Sequence, residues 1–219
     1  TSTVLSGSGT IVHATPTGGS TPGTNQVNVN YGATLELANN ITVASEVLTL
    51  SGNGETWLGA IPLRNVSGTN TWQGGVVLGN RSAILVEPLS ELILNGVVSG
   101  AGGFNMFGTG TLEFGGSASN TFNETSIIWE GTVELNKTGG ATAIANTTDN
   151  RELFVGNYYG NSATLKLLGN EQITGVGMRL RVMQTGLFDL NGFTETLTGR
   201  ITAAANHDVL GLEIGSAGS

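Results

Sequence analysis

Two glutamates, Glu113 and Glu134, have the residue type and spacing that could support catalysis in this chain. Each is the fourth residue of a repeated pentapeptide, Gly110-Thr-Leu-Glu-Phe114 in one copy and Gly131-Thr-Val-Glu-Leu135 in the other. If the two copies form neighbouring strands, their carboxyl groups lie about 5 Å apart. Two such carboxylates repel and raise each other's pKa, and carboxylate pairs perform acid/base catalysis in polysaccharide-degrading enzymes.

A solvated ladder of outward-facing side chains is the competing interpretation of this pair, and we favour it. The same slot in other copies of the unit is occupied by charged residues of both signs, namely Glu36, Lys166, Asp189 and Glu213. A position that accepts either charge is typical of a wet outer face.

Other reactive residues are few and scattered. His13 and His207 are isolated, cysteine is absent, and the aspartates form no Asp-x-Asp pair; they are Asp149, Asp189 and Asp208. No metalloprotease, serine-hydrolase, phosphate-loop or calcium-repeat motif occurs. We therefore expect a protein that is not an enzyme and has no catalytic, cofactor-binding or metal-binding residues.

Three tryptophans, Trp57, Trp72 and Trp129, are the candidates for contact with sugar rings. Singly spaced aromatic residues in a β-rich chain more often pack at corners, and we favour packing for these three.

The pentapeptide belongs to a unit that recurs along the chain: two apolar residues flank one polar residue. A period of two places the apolar pair on one face of a strand and the polar residue on the other. Steps near 22 residues recur between copies, which is a solenoid period. The copies are Leu35-Glu-Leu37, Leu48-Thr-Leu50, Leu92-Ile-Leu94, Leu112-Glu-Phe114, Val133-Glu-Leu135, Leu165-Lys-Leu167, Phe188-Asp-Leu190 and Leu212-Glu-Ile214.

Composition supports an almost entirely β chain. Thirty-five glycines accompany many Thr and Asn residues, only 11% of the residues are charged, and no window has a sustained helical stripe. The net charge of −8 argues against nucleic acid and anionic lipid as partners, and no apolar run approaches the length of a membrane span.

The pattern divides the chain into three parts. Residues 1–30 form an irregular N-terminal cap or exchange arm with one strand from Val4 to Val12, residues 31–214 form the solenoid, and residues 215–219 are a flexible tail. We expect Ala141 to Asn150 to loop out as an insertion. The predicted inner column is Leu35, Leu37, Leu92, Leu94, Leu112, Phe114, Val133, Leu135, Leu165, Leu167, Phe188 and Leu190.

Several segments of the chain resemble the autotransporter-associated β-strand repeat. They are Asn70-Thr-Trp-Gln-Gly-Gly75, the two pentapeptides with Asn120-Thr-Phe-Asn123 between them, and Phe188-Asp-Leu-Asn-Gly-Phe193. The resemblance implies a right-handed parallel β-helix of the kind found in bacterial passenger domains and large surface proteins. We therefore predict an all-β, single-stranded, right-handed parallel β-helix of about ten coils, at the bacterial cell surface or outside the cell.

Three functions remain open on this fold. The first is a non-catalytic structural rod, a surface filament subunit or adhesin stalk, that associates end to end because open solenoid ends expose unpaired strand edges. The second is a tailspike-like enzyme that degrades polysaccharides. The third is a module that binds surface glycans, for which Trp72 is the residue to test.

Overall fold

The computed structural model describes residues 2–6, 9–11, 26–51, 61–145, 151–158, 160–175, 178–198, 200–203 and 214–215. Within these ranges the chain is all-β, with 24 strands and no helix. It follows that no helix in the described part is long and apolar enough to cross a membrane. The predicted all-β class is confirmed.

The strands are short, with two to five residues each. In chain order they are β1 (Ser2–Ser6), β2 (Gly9–Ile11), β3 (Gln26–Val29), β4 (Thr34–Ala38), β5 (Ile41–Val43), β6 (Val47–Leu50), β7 (Leu63–Ser67), β8 (Thr69–Trp72), β9 (Val76–Leu78), β10 (Ser82–Val86), β11 (Glu91–Leu94), β12 (Val98–Ser99), β13 (Phe104–Phe107), β14 (Thr111–Phe114), β15 (Ser126–Ile128), β16 (Gly131–Leu135), β17 (Ile144–Ala145), β18 (Glu152–Val155), β19 (Ala163–Leu167), β20 (Ile173–Thr174), β21 (Arg179–Val182), β22 (Gly186–Asp189), β23 (Arg200–Ala203) and β24 (Ile214–Gly215).

Two long parallel sheets contain most of these strands. The first long sheet has the order β1-β4-β7-β10-β13-β15-β18-β21-β23, and the second has β2-β5-β8-β11-β14-β16-β19-β22-β24. Smaller parallel sheets join β12-β9-β6-β3 and β17-β20. Each strand pairs with the strand that follows it in the order of its own sheet. The molecule is therefore built of successive levels, and we call one level the consecutive strands that the chain contributes to the sheets before it returns to the first long sheet. Each long sheet has nine strands, so the structure has nine levels, close to the number of about ten coils that the sequence predicts.

Alternation within each strand places one set of side chains inside the stack. In β14, Leu112 and Phe114 are fully buried, whereas Thr111 and Glu113 are partly exposed. Register repeats this arrangement from level to level, because Leu92, Leu112 and Val133 are consecutive partners. Burial of each such side chain stabilises the fold by about 1.5–3 kcal/mol.

The predicted inner column is confirmed for all but its last member. Leu190 is only partly buried, because it follows the end of β22 and lies in the turn beyond that strand. The buried residues of the prediction are Leu35, Leu37, Leu92, Leu94, Leu112, Phe114, Val133, Leu135, Leu165, Leu167 and Phe188.

Two stretches differ from the sequence prediction. The single strand expected from Val4 to Val12 is two strands, β1 and β2, because they pair with β4 and β5 in different sheets. The expected insertion, residues 141–150, is not looped out at its start: Ala143 is fully buried, and β17 pairs with β20. Residues 146–150 lie outside the described part. The assignment of residues 1–30 as a cap or exchange arm and of 215–219 as a tail stays a prediction.

Buried side-chain amides complete the stack where the smaller sheets are interrupted. Between β12 and β17 the chain has no strand of its own at this corner, and Asn120 takes over the pairing. Its side chain accepts the Val98 N–H at 2.9 Å on one side and donates to the Ala143 carbonyl at 2.9 Å on the other. Because Asn120 is fully buried, no solvent competes for these groups.

Replacement of Asn120 by alanine tests this role. The Val98 N–H and the Ala143 carbonyl lose their partners, so we expect Asn120→Ala to lower the free energy of unfolding by about 2–4 kcal/mol. Urea denaturation followed by circular dichroism measures the change. The matched control is Ser119→Ala, which removes one exposed hydrogen bond to the Thr142 N–H and should cost less than about 0.5 kcal/mol. Equal losses in the two variants would contradict the role of Asn120.

Candidate functional site

Three glutamates meet on the outer face of the second long sheet. Glu113 and Glu134 are register partners on β14 and β16, as the repeated pentapeptide predicted. Glu91, the first residue of β11, joins them, and carboxylate oxygens of the three residues all lie within 4.8 Å of one another. The predicted proximity of Glu113 and Glu134 is confirmed, and we call the three residues the acidic triad.

Sequence reasoning missed Glu91 because it is not at the central position of its repeat unit. Its register partner is Thr111, and Glu113 is paired with Ile93. Alternation along β11 nevertheless makes positions 91 and 93 the two outward ones, so Glu91 could have been assigned to this face.

Each member of the acidic triad has a polar partner. The Asn136 amide donates to Glu113 Oε1 at 2.9 Å, and the Lys166 ammonium donates to Glu134 Oε1 at 3.0 Å. Glu91 Oε2 accepts the Thr69 hydroxyl at 3.3 Å. The triad is thus part of a ladder of mixed polar groups on this face.

The central polar residues of the repeat units do not all stack in a single column of one sheet. Glu134, Lys166 and Asp189 are consecutive partners on the second long sheet. Glu36 does not belong to this column, which corrects the prediction: it lies on β4 of the first long sheet, where Arg64 donates to it at 3.1 Å. Glu213 lies outside the described residues, as do His13, His207, Asp149, Asp208 and Trp57.

Burial and charge act in the same direction on Glu113. Removal from water raises its pKa, and the negative charges of Glu91 and Glu134 raise it further, while the hydrogen bond from Asn136 opposes both. The group therefore retains a proton to higher pH than an ordinary glutamate.

Carboxylates this close have two possible chemical uses. They could bind a divalent cation through oxygen ligands, or they could share acid/base work. Of the cavities in the described part of the chain, one is lined by Phe122, Arg151 and Glu152 and another by Ile173, Leu197 and Ile201, and the triad lines neither of these two. The expectation that this chain has no catalytic or metal site stays a prediction.

The tryptophans have opposite environments. Trp72 is fully buried, and its indole N–H donates to the Glu46 carbonyl at 2.8 Å, so it is not available to a glycan. Trp129 is 37% exposed and stacks on Phe107. The prediction that Trp72 is the residue to test for glycan binding is therefore wrong.

Three asparagines that follow strands of the second long sheet do not stack on one another. Asn95, Asn136 and Asn191 follow strands β11, β16 and β22, which are not neighbours in the sheet. Asn136 instead bonds to Glu113, and Asn191 donates to the Leu167 carbonyl at 3.0 Å.

A buried lysine was also missed by sequence reasoning. Lys137 is 3% exposed, and its ammonium donates to the Gly96 carbonyl at 3.1 Å. Loss of hydration lowers its pKa to about 8. Every second residue from Val133 through Leu135 to Lys137 points inward, although β16 ends at Leu135. Extending this alternation by one step in the sequence would have predicted a buried Lys137.

Comparison of the chain with protein-family models, curated proteins and solved structures finds no match. The resemblance to the autotransporter-associated repeat therefore stays a prediction based on the segments named above.

Substitution of Glu113 by glutamine tests the electrostatics of the triad. A raised pKa means that the folded state binds the proton more tightly, so this residue costs stability as the pH rises above the unfolded value near 4.5. We expect Glu113→Gln to stabilise the protein by about 0.5 kcal/mol at pH 7, with the gain vanishing at pH 3.5, in thermal unfolding at both pH values.

The matched control is Glu134→Gln, which also loses the ion pair with Lys166 and should give a smaller gain. A loss of stability in Glu113→Gln at pH 7 would contradict the assignment.

Substitution of Lys137 by methionine tests the buried ammonium. Because the pKa is lowered in the folded state, wild-type stability should rise as the pH increases from about 8 to 10.5. Lys137→Met should be more stable at pH 7 by about 1 kcal/mol and lack this rise in urea denaturation. Lys166→Met, at a partly buried ion pair, should keep the rise. A wild-type stability that falls over this range would refute the burial of a charged Lys137.

Proposed function

We propose that this chain is a non-catalytic extracellular structural protein: a rod at a bacterial surface that serves as a filament subunit or adhesin stalk. The observation that carries the proposal is the stacking of equivalent parallel strands over nine levels in both long sheets. Stacking of this kind makes an elongated body whose length grows with the number of repeats.

We further propose that the stack is a single-stranded, right-handed β-helix. Consecutive strands such as β4, β5 and β6 belong to three different sheets, and β7, β8 and β9 return to the same sheets in the same order. A chain that visits the sheets cyclically winds around one interior. Connections between parallel strands of one sheet are right-handed in about 98% of cases, which supports the handedness.

The proposed extracellular location rests on the repeat resemblance. The resemblance to the autotransporter-associated repeat supports a bacterial surface.

End-to-end association is supported by the terminal strand edges. Within the described residues, β1 is the first strand of its sheet and has a partner, β4, on one side only. Backbone groups at such an edge can pair with another chain. An added strand from a second copy would continue the parallel ladder.

Alternation of the ladder identifies an edge donor. Leu35 donates its N–H to Pro62 in the following level, whereas Glu87 donates to Asn65 in the preceding one. N–H groups along a parallel strand point alternately to its two neighbours, so the Glu36 N–H, next to that of Leu35, points to the preceding level. Val4 is the register partner of Glu36 and has the same orientation, so its N–H points away from β4 towards the open edge. A proline at this position removes an edge donor without removing a β1–β4 hydrogen bond.

Electron microscopy of the untagged protein at several concentrations tests the filament. We expect fibres with an axial repeat of about 45 Å, the length of nine levels. Val4→Pro should shorten or abolish them, while Val4→Thr, which keeps the N–H, should not.

Discrete rods at every concentration would contradict the filament. Release of new reducing ends from a surface polysaccharide, lost when Glu113 and Glu134 are both changed to glutamine, would contradict the non-catalytic proposal and support the polysaccharide-degrading alternative.

A further inference from the structure

An aromatic row lies on the outer face of the first long sheet. Leu85 is the register partner of Phe107, and Trp129 follows β15 at the equivalent place one level later. The rings of Phe107 and Trp129 are parallel within 8°, with centroids 6.1 Å apart. Phe107 thus supports one face of the indole and orients it.

The row ends at a glycine. Ile128 pairs with Val155, so the residue beside Trp129 in the next level is Gly156, which has no side chain to cover the second face of the indole. A side chain is also excluded there, because Gly156 has a φ of +84° and a Cβ would lie 2.5 Å from the Gly186 nitrogen. The 37% exposure of Trp129 agrees with a ring that is covered on one side.

Polar side chains contact the residue after Trp129 and the Trp129 backbone. Glu130 accepts the Gly108 N–H at 2.8 Å with one carboxylate oxygen and the Asn161 amide with the other. The Asn157 amide donates to the Trp129 carbonyl at 2.9 Å. A carboxylate has about four acceptor positions, so the two contacts of Glu130 leave room for further donors such as hydroxyl groups. We call Trp129, Gly156 and Glu130 the Trp129 platform.

The size of the platform indicates what it can bind. The exposed part of one indole is on the order of 100 Å², far below the roughly 1,000 Å² that a stable protein interface buries. The other large exposed apolar residues of the described part, Tyr31, Leu89 and Ile201, belong to other levels and do not extend it. A net charge of −8 disfavours nucleic acid and anionic glycans.

A pyranose ring has the complementary chemistry. Its flat face presents C–H groups that carry partial positive charge and suit the negative face of an aromatic ring, and its edge carries hydroxyl donors. We propose that the Trp129 platform binds one pyranose unit of a neutral glycan, with the sugar stacked on the indole above Gly156 and a hydroxyl donated to Glu130. This site goes beyond the structural role and does not depend on filament formation.

Isothermal titration with cellohexaose, laminarihexaose and chitohexaose tests the proposal. We expect saturable binding of at least one of these neutral oligosaccharides, with a change in tryptophan fluorescence. Trp129→Ala should weaken that binding about tenfold or more, and Trp129→Phe should retain part of it, because a phenyl ring still offers a flat aromatic face for stacking.

Tyr31→Ala is the matched control, since it removes an aromatic residue that is 61% exposed on another level. It should bind as the wild type does. Gly156→Ala is not a useful control, because its strained backbone would perturb folding.

Three results would overturn the proposal. They are the absence of saturable binding to all three oligosaccharides, equal affinity in wild type and Trp129→Ala, and concentration-dependent dimerisation that Trp129→Ala abolishes in sedimentation velocity, which would make the platform a contact between copies. Fibres of Trp129→Ala should match those of the wild type, so failure of this site is distinguishable from failure of the filament proposal.

Discussion

The parallel ladder between successive levels is the constraint on which this structure depends. A short strand of two to five residues cannot satisfy its own backbone groups, and each level obtains its hydrogen bonds from the levels before and after it. Register therefore has to be kept over the whole stack. Where a level lacks a strand, a buried amide must supply the missing donor and acceptor, as Asn120 does between Val98 and Ala143.

The same constraint explains the use of other buried amides. Gln172 accepts the Lys137 N–H and donates to the Lys137 carbonyl, which joins a turn to the level before it. Asn70 accepts the Ile41 N–H and donates to Asn65 at a corner between the long sheets. These side chains take the place of backbone hydrogen-bonding groups. Because they are buried, water does not compete for their hydrogen bonds.

In-register stacking also brings like residues together on the outside. It places the carboxylates of the acidic triad within 4.8 Å of one another, and it aligns Phe107 with Trp129. The first arrangement costs electrostatic repulsion that Asn136, Lys166 and Thr69 offset in part, whereas the second builds a rigid aromatic surface. In the rod that we propose, end-to-end association and glycan binding therefore use separate surfaces, the terminal strand edges and the outer face of the first long sheet.

The sequence by itself determined the strand class, the buried face of most repeats and the proximity of Glu113 to Glu134, because a period of two and a recurring step are local properties that survive in any stacked arrangement. Tertiary structure decided which column each repeat joined. Glu36 has the same local pattern as Glu134 but lies in another sheet. The stack also decided that Trp72 is buried and Trp129 is exposed, because the exposure of each ring depends on the residues of the neighbouring levels. Trp72 donates to the Glu46 carbonyl, whereas Trp129 has Gly156 beside it.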